Sequence, residues 1–151
     1  MNYILDTCIF NKLVDGIISF SDLPNDGQFF ITHIQLDELK KTSDPERKDV
    51  LIGKFKEIAP KETFPCFIPD VTRIDASVAG IGDLCTRLRS ALDKKNCGKS
   101  NNINDAAIAE VAIREGITLI TSDEAFAKVT EDYGGEVIFF DPNTGGQRFP
   151  Q

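Results

Sequence analysis

Short apolar runs alternate with amphipathic stretches along this chain. In NYILD (Asn2 to Asp6), Ile4 and Leu5 belong to a run too short for a helix, and it reads as a buried strand. FFIT (Phe29 to Thr32), ITLIT (Ile117 to Thr121) and EVIFF (to Phe140) read the same way. Between them the period changes. Thr7 to about Asp15 reads as a helix stopped by Gly16, and HIQLDELKK as a helix that follows the second strand directly. From about Asp75 to Lys95, apolar Val78, Ile81, Leu84, Leu88 and Leu92 recur at three- and four-residue steps, which predicts one long amphipathic helix. Ile108, Val111 and Ala112 make a stripe on the next helix, and SDEAFAKVTEDYGG predicts a short last one with a glycine stop.

Start and stop signals support these elements. Ser43 and Glu46 have the spacing of a capping box, Pro45 suits a first turn, and Pro60 ends that helix. Asn104 is placed to cap the helix that Gly116 ends. PKETFPCFIPD, with three prolines, reads as a connection or a short irregular strand, and NCGKSNN as a loop. Strands that alternate with helices argue an α/β fold with a mostly parallel sheet. There is no internal repeat, low-complexity tract or linker, so one domain is expected over residues 1–141. The tail from 142 to 151 lacks periodicity and is expected to be loose.

Composition narrows the chemistry. With 151 residues, 41% hydrophobic and 27% charged, the chain can bury a core as one domain. It has no run of about 18 apolar residues to span a membrane and no signal-like start, so a cytoplasmic protein away from membranes is expected. The four cysteines, Cys8, Cys66, Cys85 and Cys97, form no CxxC pair and read as reduced packing or surface residues. His33 is the only histidine, which excludes HExxH-type metal sites, and no GxSxG elbow accompanies it. Carboxylates must then carry most of any catalysis. The net charge of −7 argues against broad nucleic-acid binding, but the charge is uneven. Arg87, Arg89, Lys94, Lys95 and Lys99 face only Asp93 in one stretch; Lys40, Lys41, Arg47, Lys48, Lys54 and Lys56 form another basic group. Either is by charge alone compatible with a solvated helix face.

The acids fall where the chain turns. In open parallel sheets, ligands bind beyond the carboxyl ends of the strands. Asp6 ends the first strand, Asp123 follows the strand ending at Thr121, Asp105 is in a first helical turn, and Glu38 lies about two turns into the helix after strand two. Taken singly, an aspartate at a helix start is as well explained by capping. Glu38 lies beyond the reach of a cap, with Asp37 as its rival, and the apolar neighbours Ile34 and Leu39 do not separate the two. Four convergent carboxylates repel one another, and a hard divalent cation with oxygen ligands offsets that repulsion. Such a site can activate water against a phosphodiester.

These residues, in this order, resemble the PIN-domain nucleases, most closely the small VapC-like toxins of prokaryotic toxin–antitoxin pairs. YILDTCIF is similar to the opening strand with its first aspartate, Asp6, followed by Thr7. ITHIQLDEL resembles the second motif and selects Glu38 over Asp37. NDAAIAEVAIREGITLITSDEAF resembles the third and fourth motifs, with Asn104 and Asp105, then Thr121 and Asp123. The resemblance implies a Rossmann-like three-layer α/β/α sandwich and a Mg²⁺- or Mn²⁺-dependent endoribonuclease. Asp6, Glu38, Asp105 and Asp123 would be its catalytic and metal-holding acids, supported by Thr7, Asn104 and Thr121. It also implies an RNA substrate, a homodimer and a small antitoxin that blocks the site. Arg87, Arg89, Lys94, Lys95 and Lys99 would then contact RNA.

Two other classes compete. A non-catalytic PIN-like module would bind RNA or protein with the same fold, and only cleavage separates it from a nuclease. A phosphate-handling domain of the HAD or receiver type would need DxDx[TV] after the first strand, or an acidic pair there with a late lysine; the chain has DTC at that point.

Overall fold

In the computed structural model, residues 1–58, 60–63 and 83–149 are described. The elements run β1 (Asn2–Leu5), α1 (Thr7–Val14), a 3-10 turn (Phe20–Asp22), β2 (Gln28–Ile31), α2 (His33–Lys40), α3 (Pro45–Ile58) and β3 (Lys61–Glu62). They continue with α4 (Asp83–Asn96), α5 (Asn102–Glu115), β4 (Thr118–Thr121), α6 (Glu124–Asp132), β5 (Val137–Phe140) and β6 (Gln147–Arg148). The N-terminal part of the long helix expected from about Asp75, and Cys66, lie outside the described residues.

Among the described residues, six strands form one sheet in the order β3-β2-β1-β4-β5-β6. Every pairing is parallel except β5 with β6. β1 is central: Ile4 stands opposite Phe30 of β2 on one side and Leu119 of β4 on the other. The chain leaves β1 toward β2 and later returns to β4 on its other flank. The strand order therefore reverses between β1 and β4, where the carboxyl ends open a crevice.

Period-two alternation divides the core between the two faces. Ile4 and Leu119 point to one face, where they pack with Leu88 and Leu92 of α4, Ile108 and Val111 of α5, and Phe126 of α6. Tyr3, Leu5 and Ile120 point to the other, against Ile9, Phe10 and Leu13 of α1 and Leu51 of α3. The α2 helix bridges the layers, with Ile34 in the first cluster and Leu39 in the second. The result is the expected α/β/α sandwich. Each fully buried Leu, Ile or Phe contributes roughly 1.5–3 kcal/mol. Gly116 closes α5 in the left-handed conformation at φ 65°, and the amide of Ile117 bonds back to Ala112 at 2.9 Å.

Local chemistry differs from the sequence reading at three points. Pro45 is the first residue of α3, so the cap falls to Asp44, whose carboxylate accepts the Glu46 amide at 3.0 Å; the Ser43–Glu46 box is displaced by one residue. The α5 helix starts two residues before Asn104, which frees that side chain from capping. The tail, expected to be loose, returns along β5 as β6. Asp141 accepts the amides of Asn143 and Thr144 at the turn, and Arg148 lies 5.0 Å over the Phe139 ring. A two-residue strand held by a turn and a cation–ring contact has no period to read.

Candidate functional site

The four acids stand at the carboxyl edge of β1 and β4. Asp6 occupies the N-cap position of α1 but its side chain makes no cap bond. Its Oδ2 instead accepts from Thr121 Oγ1 at 2.7 Å and from Cys8 Sγ at 3.0 Å. Both donors reach the same oxygen, and Oδ1 has no hydrogen-bond donor among the described residues. Thr121 is fully buried, and its hydroxyl oxygen also accepts the Asp123 amide at 3.0 Å. One hydroxyl thus links the end of β1 to the start of α6.

Asp123 does cap. Its Oδ1 accepts the Phe126 amide at 3.0 Å, which satisfies one of the open N–H groups of α6. Capping and membership of the acidic group are both met by this one carboxylate, since each oxygen can accept more than one bond. Asp105 does not cap. It is buried in the first turns of α5, with Asn101 Nδ2 at 3.4 Å from Oδ1.

Glu38 joins three helices. Thr7 Oγ1 of α1 donates to its Oε2, and Asn104 Nδ2 of α5 donates to its Oε1 at 2.9 Å. Asn104 is also 3.3 Å from Asn101 Oδ1. These bonds tie Glu38 to α1 and α5 at the strand ends.

Electrostatics ties the two halves together. Burial first, and then the negative charges of Asp6, Glu38 and Asp123, together push the Asp105 carboxyl up to about 9; Lys99 acts in the other direction. Burial likewise raises Asp6, to about 6, against the lowering effect of the Thr121 and Cys8 donors and with the help of Glu38 and Asp123. The acids are close enough to feel one another's charge. Among the described residues, however, no group of three or more His, Cys, Asp or Glu side chains is arranged to hold a metal ion as it stands.

Cys8, expected as a reduced packing or surface residue, belongs to the site. Its thiol receives the Ser122 hydroxyl at 3.1 Å and the Ser122 amide at 3.3 Å while it reaches Asp6. Burial, then the Asp6 charge, push its ionisation well up, so it serves as a neutral donor. Only the D-T-C spacing hinted at this: two residues after Asp6, on the first turn of α1, a side chain can turn back to the strand end.

The basic stretch is exposed along the outside of α4 and the loop after it. Arg87 pairs with Asp83 at 3.3 Å, while Arg89, Lys94 and Lys95 face solvent. Lys99 is the one of the five whose charge reaches the acid group, at Asp105.

A family model for the PIN domain matches residues 73–132, a span that holds Asn104, Asp105, Thr121 and Asp123 but not Asp6 or Glu38. Among solved structures, the chain is similar to a domain of a functionally unknown protein from Methanocaldococcus jannaschii DSM 2661. Identity there is 20%, coverage is 93% of this chain and 91% of that chain, and the TM-score is 0.52. It is similar to VapBC2 from Rickettsia felis, a structure bound to a DNA fragment from their promoter, at 22% identity over 85% of this chain and 93% of that chain, with a TM-score of 0.53. FitAcB from Neisseria gonorrhoeae aligns at 14% identity over 93% of this chain and 97% of that chain, with a TM-score of 0.50. No curated protein matches the chain. The resemblance to PIN domains is thus borne out by a family model over two of the motifs and by fold over most of the chain.

Proposed function

We propose that this chain is a divalent-metal-dependent endoribonuclease of the PIN type, with Asp6, Glu38, Asp105 and Asp123 as its acidic site. The observation that carries the reading is the gathering of three further acids around the buried Asp105. Its carboxyl is pushed up to about 9 by burial and by three further acids that approach it from three other elements. Four acids gathered at a crevice without a compensating cation are costly in a purely structural role.

The donor set fits a hard cation. It is all oxygen, with neither histidine nor thiolate offered, which suits Mg²⁺ or Mn²⁺ over zinc. Mg²⁺ keeps several waters and takes one or two carboxylates directly, so it does not need all four acids as direct ligands. Such an ion, when bound, polarises a phosphoryl oxygen and lowers the pKa of water.

The chain's own residues do the rest. Thr121 and Cys8 both hold Asp6 by Oδ2 and leave Oδ1 to other ligands. Thr7 and Asn104 hold Glu38 from two sides, each using one lone pair of a different oxygen. Asp105, raised to about 9, would hold a cation together with the other acids once deprotonated. Asp123 remains anchored to the α6 amide at 3.0 Å. Arg87, Arg89, Lys94, Lys95 and Lys99 contact RNA phosphates beside it, and Lys99 is nearest the acids.

The assay is cleavage of RNA with and without Mg²⁺ or Mn²⁺, in the wild type and in Asp6→Asn. Metal-dependent cleavage that Asp6→Asn abolishes supports the reading. Metal-independent cleavage, or cleavage that persists in Asp6→Asn, sinks it. One observation favours the non-catalytic alternative, a PIN-like module that binds RNA or protein: the absence of a ready three-acid cage among the described residues. RNA binding without cleavage under any divalent ion would select it. A small antitoxin that blocks the crevice, and a homodimer, follow from the resemblance to VapC-like toxins and belong to the same proposal.

A further inference from the structure

We propose that Lys95, Lys128 and Arg148 form a phosphate-holding cavity next to the acidic edge, through which the RNA backbone runs along α6. The proposal rests on the nuclease reading and adds a path for the substrate. The three cations come from three elements, α4, α6 and β6. With Glu124 and Ala125 they line one cavity of about 380 Å³. Glu124 follows Asp123 directly, so the cavity opens at the first turn of the helix that Asp123 caps. In a chain of net charge −7, three cations and one acid lining a single cavity reverse the average.

Each cation is placed without being used up. Arg148 is aimed by its strand pairing with Phe139 and by its guanidinium 5.0 Å above that ring. It meets Glu131 at 3.3 Å and Lys128 meets Asp132 at 3.1 Å, both at half-exposed positions. Such exposed pairs are weak and exchange readily for a phosphate. Lys95 has no ion-pair partner among the described residues. The positive charge of the lining suits the phosphate backbone of RNA.

The test titrates a fluorescent single-stranded RNA onto the full chain, in chelator to prevent cleavage, at several salt concentrations. The Lys128→Gln, Arg148→Gln double variant should flatten the slope of log affinity against log salt by about 1.4, from about 0.7 per lost phosphate contact on a single strand. Arg148→Lys, which keeps the charge but changes the contact with Phe139, should retain the wild-type slope. Lys40→Gln with Lys48→Gln, on α2 and α3, should leave it unchanged. An unchanged slope in the double variant, with wild-type binding intact, overturns this cavity and leaves the nuclease reading standing. A flattened slope in Arg148→Lys also overturns it, because packing and not charge would then be at work. Failure of the wild type to bind RNA at all overturns both.

Discussion

Asn104 Nδ2 donates to Glu38 Oε1 at 2.9 Å and so joins α5 to α2, 66 positions apart, across the carboxyl edge of the sheet. With Thr7 on the other oxygen, the Glu38 carboxylate is held from both sides. A group fixed this way is suited to a task that needs one orientation.

Glu38→Gln should therefore be severe. It removes the charge and turns an NH₂ group toward one of two donors. Asp37 stands about 100° around the helix from Glu38. We expect Glu38→Gln to lower kcat/KM by more than the roughly 10–100-fold of an outer positioning residue, and Asp37→Asn to stay near wild type. Comparable losses from both, in proteins of equal melting temperature, would place the wrong face of α2 at the site.

Asp123 serves as both cap and acid, and the two roles separate by substitution. Asparagine caps as well as aspartate but carries no charge. Asp123→Asn should keep stability and lose cleavage; Asp123→Ala should lose cleavage and also about 1 kcal/mol of stability. Denaturant titration beside the cleavage assay checks this. Full activity in Asp123→Asn would reduce this residue to its capping role.

Thr121 and Cys8 both hold Asp6 Oδ2, so each is a positioning residue. Thr121→Val and Cys8→Ala should weaken metal affinity or activity about 10–100-fold. Cys8→Ser, which keeps a donor, should recover most of it. Metal affinity is read from the rise of melting temperature with Mn²⁺ concentration. If Cys8→Ser were as damaged as Cys8→Ala, the thiol would matter for its volume and not for its bond to Asp6.

Stability of the metal-free protein should fall as pH rises. Asp6 and Asp105 are raised from an ordinary 3.8 to about 6 and about 9, chiefly by burial and then, for Asp105, by neighbouring acids. The folded chain thus binds more protons than the unfolded one across that window. The contribution is fully present below about pH 4 and is lost through pH 6 for Asp6 and pH 9 for Asp105. Asp105→Asn should flatten the fall and melt above wild type at pH 8 in chelator. Mn²⁺ should stabilise wild type at pH 8, by about 2.7 kcal/mol at a hundredfold excess over Kd. Metal-free melting temperatures that rise from pH 5 to 8 would show that the two acids are not buried together.

The sequence by itself determined the local periods and the punctuation. Four apolar runs became β1, β2, β4 and β5, because a strand buried on both faces needs a near-continuous apolar run. Gly116 ended α5 because the left-handed turn suits a residue without a Cβ. Asp6, Asp105 and Asp123 stood out because each followed a strand end or opened a helix, and Glu38 stood out through the ITHIQLDEL motif. Only the tertiary structure decided what those acids do. Asp6 and Asp123 look alike as helix-start aspartates, yet Asp123 caps and Asp6 turns away to Thr121, 115 positions on. That difference depends on β1 pairing with β4, a non-local register with no local signal. The same pairing brings Ser122 to Cys8 and turns an ordinary cysteine into a donor at the site. Asn104 bonds to Glu38 and not to its own helix end because α5 begins two residues earlier, a boundary that side-chain chemistry alone does not set.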